Sequence, residues 1–208
     1  MHIYWHGLAC FRLVLRDLSI LIDPYDASVG LKPPRFASDL VLATSDRPEH
    51  GNITAGGGDP FRITGPGEYE VKNVFVWGHG VQHNGDKKRR TTLYVIEAEG
   101  LTIAHLGDLS TVLTENQLDR LEGVDILCLP VGGNDVLDAK KASALVSEIE
   151  PRIIIPMMYK TPGVKMKLDP VDAFLKEYGA QDAEKVDKLK ITPKELPQDA
   201  TRVVIVQS

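Results

Sequence analysis

Short apolar runs rich in β-branched residues, separated by Gly, Pro or Asp, recur along the whole chain. About nine of them predict β-strands: FRLVL, SILID, DLVLAT, NVFVWG, TLYVIEAEG, LTIAHLGD, VDILCLPVGG, RIIIPMMY and RVVIVQ. Helical patterns are confined to residues 113–121, 138–151 and 169–179. Strands therefore dominate the first half of the chain and alternate with helices in the second half. This order favours two sheets with helices outside them over a doubly wound parallel sheet, which would carry helices throughout.

The predicted helix ends depend on residue types that favour the first helical turn. Thr114 is a candidate N-cap, and Gln117 three residues later has the spacing of a capping box. Asp169 and Pro170 stand at the cap and first-turn positions of the third helix. The second helix is amphipathic and is expected to stop before Pro151.

Length and charge narrow the class of protein. A chain of 208 residues is long enough for one sizeable core, so we expect a single domain over residues 1–208. The net charge of −5 argues against a nucleic-acid surface, which needs a basic footprint. No apolar run approaches the roughly 20 residues that span a bilayer. The first residues lack a basic leader and a cleavage site, so a cytoplasmic location is expected.

The cysteines and one basic run need separate treatment. Cys10 and Cys128 lie in apolar stretches, where a buried free thiol is the usual occupant, and a disulfide is not suggested. The run DKKRR at residues 86–90 interrupts the acidic charge of the chain. Such a run between strands is most often a solvated hairpin or loop, and less often a lip that contacts an anion.

Polar residues suited to chemistry follow several of the predicted strands. They are Asp23, residues 45–50, His79 with His83, His105 with Asp108, and Met158 with Tyr159. Each of them alone is also explained as a turn or cap residue. Because enzymes commonly carry functional residues on loops at strand ends, five such ends favour one shared pocket.

Seven segments spread over the chain follow the pattern of one family. They are WHGLACFRL, ILIDPY, GPGEYEV, AHLGDLS, LPVGG, DAKKA and IIIPMMYK. In these segments the chain resembles the metallo-β-lactamase superfamily, and within it the small stand-alone hydrolases related to bacterial ascorbate-phosphate lactonase. The resemblance implies an α+β fold, an αββα four-layer sandwich. It also implies two metal ions at one edge of the sheets, usually zinc but sometimes manganese or iron.

Members of that family carry a loop with the pattern His-x-His-x-Asp-His, and further His, Asp and His ligands at other strand ends. These ligands hold two divalent ions around a bridging hydroxide that attacks ester or phosphodiester bonds. Aligned on TSDRPEH, the family's ligand positions fall at Ser45, Arg47, Glu49, His50, His83, Asp108 and Met158.

Three of these positions hold residues that do not suit zinc or manganese. The hydroxyl of Ser45 is a poor ligand, and the guanidinium of Arg47 carries a fixed positive charge. The thioether of Met158 suits soft copper(I). The resemblance therefore implies a degenerate metal-binding motif.

The remaining positions divide unequally between the two metal sites. The first site keeps only His83 and the shared Asp108, and we expect it to be empty. The second site keeps Glu49, His50 and Asp108, where Glu49 is one methylene longer than the family's aspartate. The chain is therefore predicted to hold no metal, or one weakly bound zinc or manganese ion.

Arg47 stands where the family has a metal ligand. We hypothesise that its guanidinium lies among Asp108, Glu49 and Asp46, and replaces the metal charge electrostatically. The alternative is that Arg47, beside Pro48 on a loop, points to solvent and compensates no carboxylate.

The other polar residues near this edge are predicted to have structural or pocket-lining roles. His6 and His105 occupy places that are usually structural or orienting in the family, so ligation by either is less expected. His79 lies on a strand-like stretch and is interpreted as a surface or pocket-rim residue. Tyr159 and Lys160 follow the lost histidine and are candidates for lining the mouth.

Two predicted functions differ in whether the altered metal motif still binds an ion. In the first, the chain is catalytically silent and serves as a binding or regulatory protein, because three ligands have changed together. In the second, it is a hydrolase of a lactone, phosphodiester or similar ester with one ion. Asp108 and His105 are the catalytic candidates there, with His83 as the alternative proton carrier.

A third function needs no metal. In it the chain is an anion-binding module, in which Arg47 and the lip KKRR receive a phosphate or carboxylate. The expected partner in all cases is a small anionic or ester ligand, with no nucleic acid and no membrane. The sequence determines neither the substrate nor the oligomeric state.

Overall fold

A computed structural model describes residues 1–82 and 90–208. The strands within those residues are β1 (His2–Trp5), β2 (Phe11–Val14), β3 (Ser19–Ile22), β4 (Phe36–Ala37), β5 (Leu40–Leu42), β6 (Gly56–Gly57), β7 (Phe61–Ile63), β8 (Gly67–Val71), β9 (Val74–Gln82), β10 (Arg90–Ala98), β11 (Leu101–His105), β12 (Ile126–Pro130), β13 (Ile153–Met157), β14 (Glu184–Val186), β15 (Leu189–Lys190) and β16 (Arg202–Val206). The α-helices are α1 (Glu115–Leu118), α2 (Ala139–Ile149) and α3 (Val171–Tyr178). Short 3-10 turns lie at Ala27–Val29, Asp119–Leu121 and Pro193–Glu195.

These strands form two large sheets and one small one. The first sheet has the order β15-β1-β2-β3-β5-β7, and the second has the order β14-β16-β13-β12-β11-β10-β9-β8. In the first sheet β1 to β3 are antiparallel, whereas β3, β5 and β7 run parallel. In the second sheet β8 to β11 are antiparallel, and β11, β12, β13 and β16 run parallel. Strands β4 and β6 pair separately.

The helices belong to the crossovers of the second sheet. Helix α2 joins β12 to β13, and α3 packs against α2 after β13. Because such parallel crossovers are right-handed, and β11, β12, β13 and β16 follow one another in one direction, these helices lie on one face of the sheet. The crossovers of the first sheet, after β3 and β5, contain a 3-10 turn and the β4–β6 pair instead.

The core lies between the sheets and beneath these helices. One contiguous cluster joins inward side chains of the first sheet, such as Leu13 and Leu42, with those of the second, such as Ile96 and Ile155. Every residue of β12 and of β13 is buried, as expected for central parallel strands covered on both faces. The predicted two-sheet arrangement is therefore confirmed.

The predicted strands and helices are present, with differences at their ends. Each of the nine apolar runs contains a strand. The Gln117 side chain accepts a hydrogen bond from the Thr114 amide at 2.9 Å, as the capping box requires. The third helix begins later than predicted: Pro170 is its N-cap with an extended backbone, because the amide and carbonyl of Asp169 bond to Gly132 and Lys160 instead.

The structure tests the predictions about the cysteines and about membrane-spanning helices. Cys10 and Cys128 are buried free thiols, and burial raises the pKa of both. Within the parts of the chain that the structure describes, no helix is both long and apolar enough to cross a bilayer. His83 and the basic run, apart from Arg90, lie outside the described residues.

Candidate functional site

Asp23, directly after β3, is the centre of a buried hydrogen-bond network. One carboxylate oxygen accepts the Thr44 amide at 2.7 Å. The other accepts the Thr44 hydroxyl and His50 Nδ1, both at 2.7 Å. All three side chains are buried, so Asp23 ties the end of β3 to the loop that follows β5.

The electrostatics of Asp23 favour its ionised form. Burial by itself would raise the pKa of this carboxyl, but the attraction and hydrogen bond of His50 lower it. The nearby His105 and the Thr44 amide act in the same direction, and the pKa lies below its usual value. An ionised carboxylate only accepts hydrogen bonds, so His50 Nδ1 is the donor in this pair.

The His50 ring is oriented in the way that is common for metal-binding histidines. Its Nδ1 is held by Asp23, while its buried Nε2 has no hydrogen-bond partner among the described residues. Histidines that bind metals through one nitrogen usually donate the other to a carboxylate or carbonyl. The sequence predicted His50 as a ligand, but it contained no signal for the role of Thr44.

His105, at the end of β11, is held in place from both sides. Its Nε2 donates to the Ala9 carbonyl at 2.8 Å, and its Nδ1 accepts the Gly107 amide at 3.3 Å. Burial lowers its pKa, and Asp23, with its nearest oxygen 4.0 Å from Nδ1, only partly offsets this. A neutral imidazole with both nitrogens engaged fits the orienting role and argues against the proton-carrier role.

Asp23, Thr44, His50 and His105 together are called the support cluster below. Gly107 allows the second sheet to approach it closely. The φ angle of Gly107 is +56°, and a Cβ there would lie 2.7 Å from the Thr44 hydroxyl and 2.9 Å from that of Thr91. Glycine is therefore required at this position.

Beside the support cluster lies a group of three charged side chains, Arg47, Glu49 and Asp108, called the arginine cluster below. Arg47 Nη1 lies 3.1 Å from a Glu49 carboxylate oxygen, and Nη2 forms an ion pair with Asp108. The Asp108 side chain is 1% exposed and that of Arg47 is 26% exposed. The predicted contact is therefore present, and the alternative in which Arg47 compensates no carboxylate is wrong. Asp46 is exposed.

A tight turn places Arg47 in this position. The Arg47 carbonyl accepts the amides of His50 and Gly51, at 2.9 and 2.7 Å. The Pro48 carbonyl accepts the Asp26 amide at 2.7 Å, which anchors the turn to the segment after β3. The same turn therefore directs His50 to the support cluster and Arg47 to the arginine cluster.

The remaining predicted ligand positions add no metal donor in the described chain. The Ser45 hydroxyl is buried without a hydrogen-bond partner among the described residues. Met158 is buried with a φ angle of +52°, and its amide donates to the Leu8 carbonyl. Within residues 1–82 and 90–208, no group of three or more His, Cys, Asp or Glu side chains is arranged to hold a metal ion.

Other predicted rim residues lie in fixed surroundings. His79 is half-buried opposite Leu93, and burial followed by the Arg120 charge lowers its pKa. Tyr159 is buried and stacks on Trp5 with ring centroids 4.9 Å apart, and burial raises its pKa to about 12. The Lys160 ammonium donates to the Val164 carbonyl at 2.6 Å. Tyr159 and Lys160 therefore anchor the segment after β13.

Comparison with known proteins agrees with this architecture. The family model of the beta-lactamase superfamily domain matches residues 2–158. A UPF0173 metal-dependent hydrolase from Thermoplasma acidophilum is 30% identical over 190 residues, covering 77% of this chain and 84% of that protein. A candidate Zn-dependent hydrolase of the metallo-β-lactamase superfamily from Thermotoga maritima superposes with a TM-score of 0.82 at 33% identity, covering 99% of this chain and 97% of that one.

A more distant structure shares the fold alone. An isothiocyanate hydrolase from Delia radicum gut bacteria has a TM-score of 0.73 at 16% identity and covers 92% of this chain and 99% of that one. The two-sheet architecture, the family match and the close relatives all agree with the resemblance in the sequence. The chain belongs to the metallo-β-lactamase superfamily, within the UPF0173 family of metal-dependent hydrolases.

Proposed function

We propose that this protein is a member of the family in which the arginine cluster replaces the two-metal centre, and that it binds a small ligand without two-metal hydrolysis. The observation that carries the proposal is the position of Arg47. Its guanidinium pairs with both Glu49 and Asp108, two residues at the family's ligand positions. In this protein the positive charge that those carboxylates need comes from a side chain.

Charge repulsion supports this exclusion of metal. A divalent ion about 4 Å from the guanidinium would meet a repulsion on the order of 8 kcal/mol, at an effective dielectric constant of about 20. The carboxylates that would offset this repulsion are already paired with Arg47. An ion at the family's position therefore requires Arg47 to leave.

The donor set also does not fit two ions. Ser45, Arg47 and Met158 stand at three ligand positions, and none of them supplies a nitrogen or carboxylate donor. For this reason we derive no catalytic step through a metal pair. What the described residues do is hold His50 in one orientation and neutralise Asp108.

A second candidate function, hydrolysis with a single ion, is favoured by a different observation. The free Nε2 of His50, held in place through Nδ1 by Asp23, is the geometry that a metal ligand needs. The related UPF0173 proteins carry the name metal-dependent hydrolase. For this function Arg47 must release Glu49 and Asp108 when the ion binds.

The third function from the sequence, anion binding by Arg47, has less support. Two carboxylates already engage its guanidinium, which leaves little net positive charge for a ligand. Of the basic run, only Arg90 lies in the described chain, where it is exposed.

Metal content tests the proposal. Tag-free protein, purified without chelator and dialysed against micromolar zinc or manganese, should retain less than about a tenth of an equivalent by plasma mass spectrometry. About one equivalent in the wild type, lost in Asp108→Ala, would overturn the proposal in favour of the single-ion hydrolase. The Asp17→Ala variant, which removes an exposed carboxylate away from the site, is the matched control.

A further inference from the structure

A cavity of about 620 Å³ lies beside the end of β1. It is lined by His6, Tyr25, Lys32, Arg35, Phe36 and Ser208, together with two prolines. Its volume falls within the range of small-molecule sites. The Phe36 ring joins it to Arg12, whose guanidinium carbon lies 4.7 Å from the ring centroid. His6, Arg12, Lys32, Arg35 and Phe36 are called the basic pocket below.

Three cations of the basic pocket have no salt-bridge partner among the described residues. Arg12, Lys32 and Arg35 form no salt bridge with any described carboxylate, although the chain as a whole has a net charge of −5. Arg12 is half-buried, and its buried Nε has no hydrogen-bond partner among the described residues. Burying the Nε–H of a guanidinium without an acceptor is unfavourable, so Arg12 retains a donor that an anion would satisfy.

His6 adds a second unsatisfied polar atom to the same place. Its ring lies 4.6 Å from the Phe36 centroid, and its buried Nε2 has no hydrogen-bond partner in the described chain. Burial, followed by the charge of Arg12, lowers the pKa of His6 to about 4. The imidazole is therefore neutral at pH 7, where it offers an N–H to a ligand without needing a counterion.

The walls of the pocket are held in place before any ligand arrives. The Tyr25 hydroxyl lies 2.6 Å from the His6 carbonyl and 3.2 Å from the Lys32 carbonyl, which ties the 32–36 segment to the end of β1. Burial raises the pKa of Tyr25 to about 12, so this hydroxyl keeps its proton. Two acidic groups are near: Ser208, which carries the terminal carboxylate, lines the cavity, and Asp26 lines the neighbouring one, where its carboxylate accepts the Ser28 amide at 2.8 Å.

We propose that the basic pocket binds a small organic anion through its carboxylate or phosphate group, held by Lys32, Arg35 and the His6 N–H, while Arg12 adds positive charge from its position over the Phe36 ring. Guanidinium groups suit these oxyanions because they offer parallel N–H donors with a fixed charge. This proposal holds whether or not the protein binds a metal ion, because the basic pocket shares no residue with the arginine cluster. It neighbours that cluster through the bond between Asp26 and Pro48.

Calorimetric titration of the intact chain with inorganic phosphate and with citrate, in HEPES at constant ionic strength, tests this proposal. We expect saturable binding of at least one of them. Arg35→Gln should weaken it by about tenfold or more, and Arg12→Gln by several-fold. Arg16→Gln removes an exposed arginine outside the pocket and should bind as the wild type does. Binding of phosphate alone identifies a phosphate ester as the ligand class, and binding of citrate alone identifies a carboxylate.

Two results would overturn the proposal. One is the absence of saturable binding of both anions up to tens of millimolar. The other is an equal loss of affinity in Arg16→Gln and Arg35→Gln, because general surface charge would then explain the binding. If Arg12→Gln loses its folded circular-dichroism spectrum, the exposed pair Arg35→Gln and Lys32→Gln decides the matter, since neither side chain is part of the core.

Discussion

The support cluster and the arginine cluster are joined by one turn, yet they differ in how far they follow the family pattern. The support cluster is fully buried. Its hydrogen bonds join the end of β3 to the loop after β5, and His105 at the end of β11 donates to the Ala9 carbonyl. The arginine cluster is partly exposed, and its guanidinium pairs with two carboxylates. The hydrogen bonds that orient His50 are therefore present beside a cluster in which, by the sequence alignment, arginine stands at a ligand position of the family.

The difference indicates that the two clusters have separate physical roles. The support cluster joins strands that are distant in sequence, and a buried network of this kind is costly to leave half-satisfied. In the arginine cluster a partly exposed guanidinium pairs with a buried carboxylate, and in the function proposed above it takes the place of the metal charge. Four experiments measure how separate these roles are.

The largest effect is expected for Asp23→Ala. The substitution leaves Thr44 and His50 without their acceptor inside the core, so we expect the free energy of unfolding to fall by about 3–5 kcal/mol. Urea denaturation measures this loss. Asp17→Ala, on an exposed turn, should change the free energy by less than about 0.5 kcal/mol. A loss below about 1 kcal/mol in Asp23→Ala would mean that the support cluster does not stabilise the fold.

Restoring the family's ligands should convert the arginine cluster into a metal site. The variant combines Ser45→His, Arg47→His, Glu49→Asp and Met158→His. At a zinc concentration about a hundred times its dissociation constant, zinc should stabilise this variant by about 2.7 kcal/mol. The melting temperature of the wild type should not respond to zinc or EDTA. If zinc stabilised the wild type but not the variant, the assignment of these four positions as the family's metal ligands would be wrong.

Arg47→Gln should have an intermediate effect on stability. It removes the guanidinium from Asp108, whose side chain is 1% exposed, so we expect a loss of about 1–3 kcal/mol in unfolding free energy. Adding Asp108→Asn should recover part of that loss, which a double-mutant cycle measures. Arg62→Gln is the control, because its pair with Asp59 is exposed and 3.7 Å long. Equal losses in Arg47→Gln and Arg62→Gln would show that the arginine cluster does not stabilise Asp108.

The smallest effect concerns the pH dependence of the support cluster. The pKa of His105 is lowered on folding. Below about pH 6.5, His105 therefore binds a proton in the unfolded chain but stays neutral in the folded chain. His105 therefore contributes a loss of stability as pH falls below 6.5, by up to about 1.4 kcal/mol per pH unit for one proton. His105→Gln should reduce this slope between pH 6.5 and 5. An unchanged slope in His105→Gln would contradict the lowered pKa.

Most of the fold was predictable because its signals are local. Apolar runs of strand length mark nine of the strands, β2, β3, β5, β9 to β13 and β16, and capping residues such as Thr114 mark helix starts. The short strands β4, β6 and β15 have two residues each and carry no periodic pattern, so the sequence did not reveal them. Their pairing depends on neighbours that the fold supplies.

The candidate site was predictable only in part. Arg47, Glu49 and Asp108 were identified from their positions in the family pattern, and the structure brings them together. Thr44 was not identified, because a threonine ahead of a polar loop has no distinctive signal. The basic pocket was also missed, since Arg12 lies within an ordinary strand pattern.

By itself, the sequence determined which residue types stand at the ligand positions and where nine of the strands lie, because both depend on the order of residues along the chain. Only the tertiary structure decided that Asp23 accepts from Thr44 and His50, which are 21 and 27 residues away. It also placed Arg12 and His6 against Phe36. The physical reason is that such contacts are set by strand order and register across the sheets, which bring together side chains that no local pattern connects.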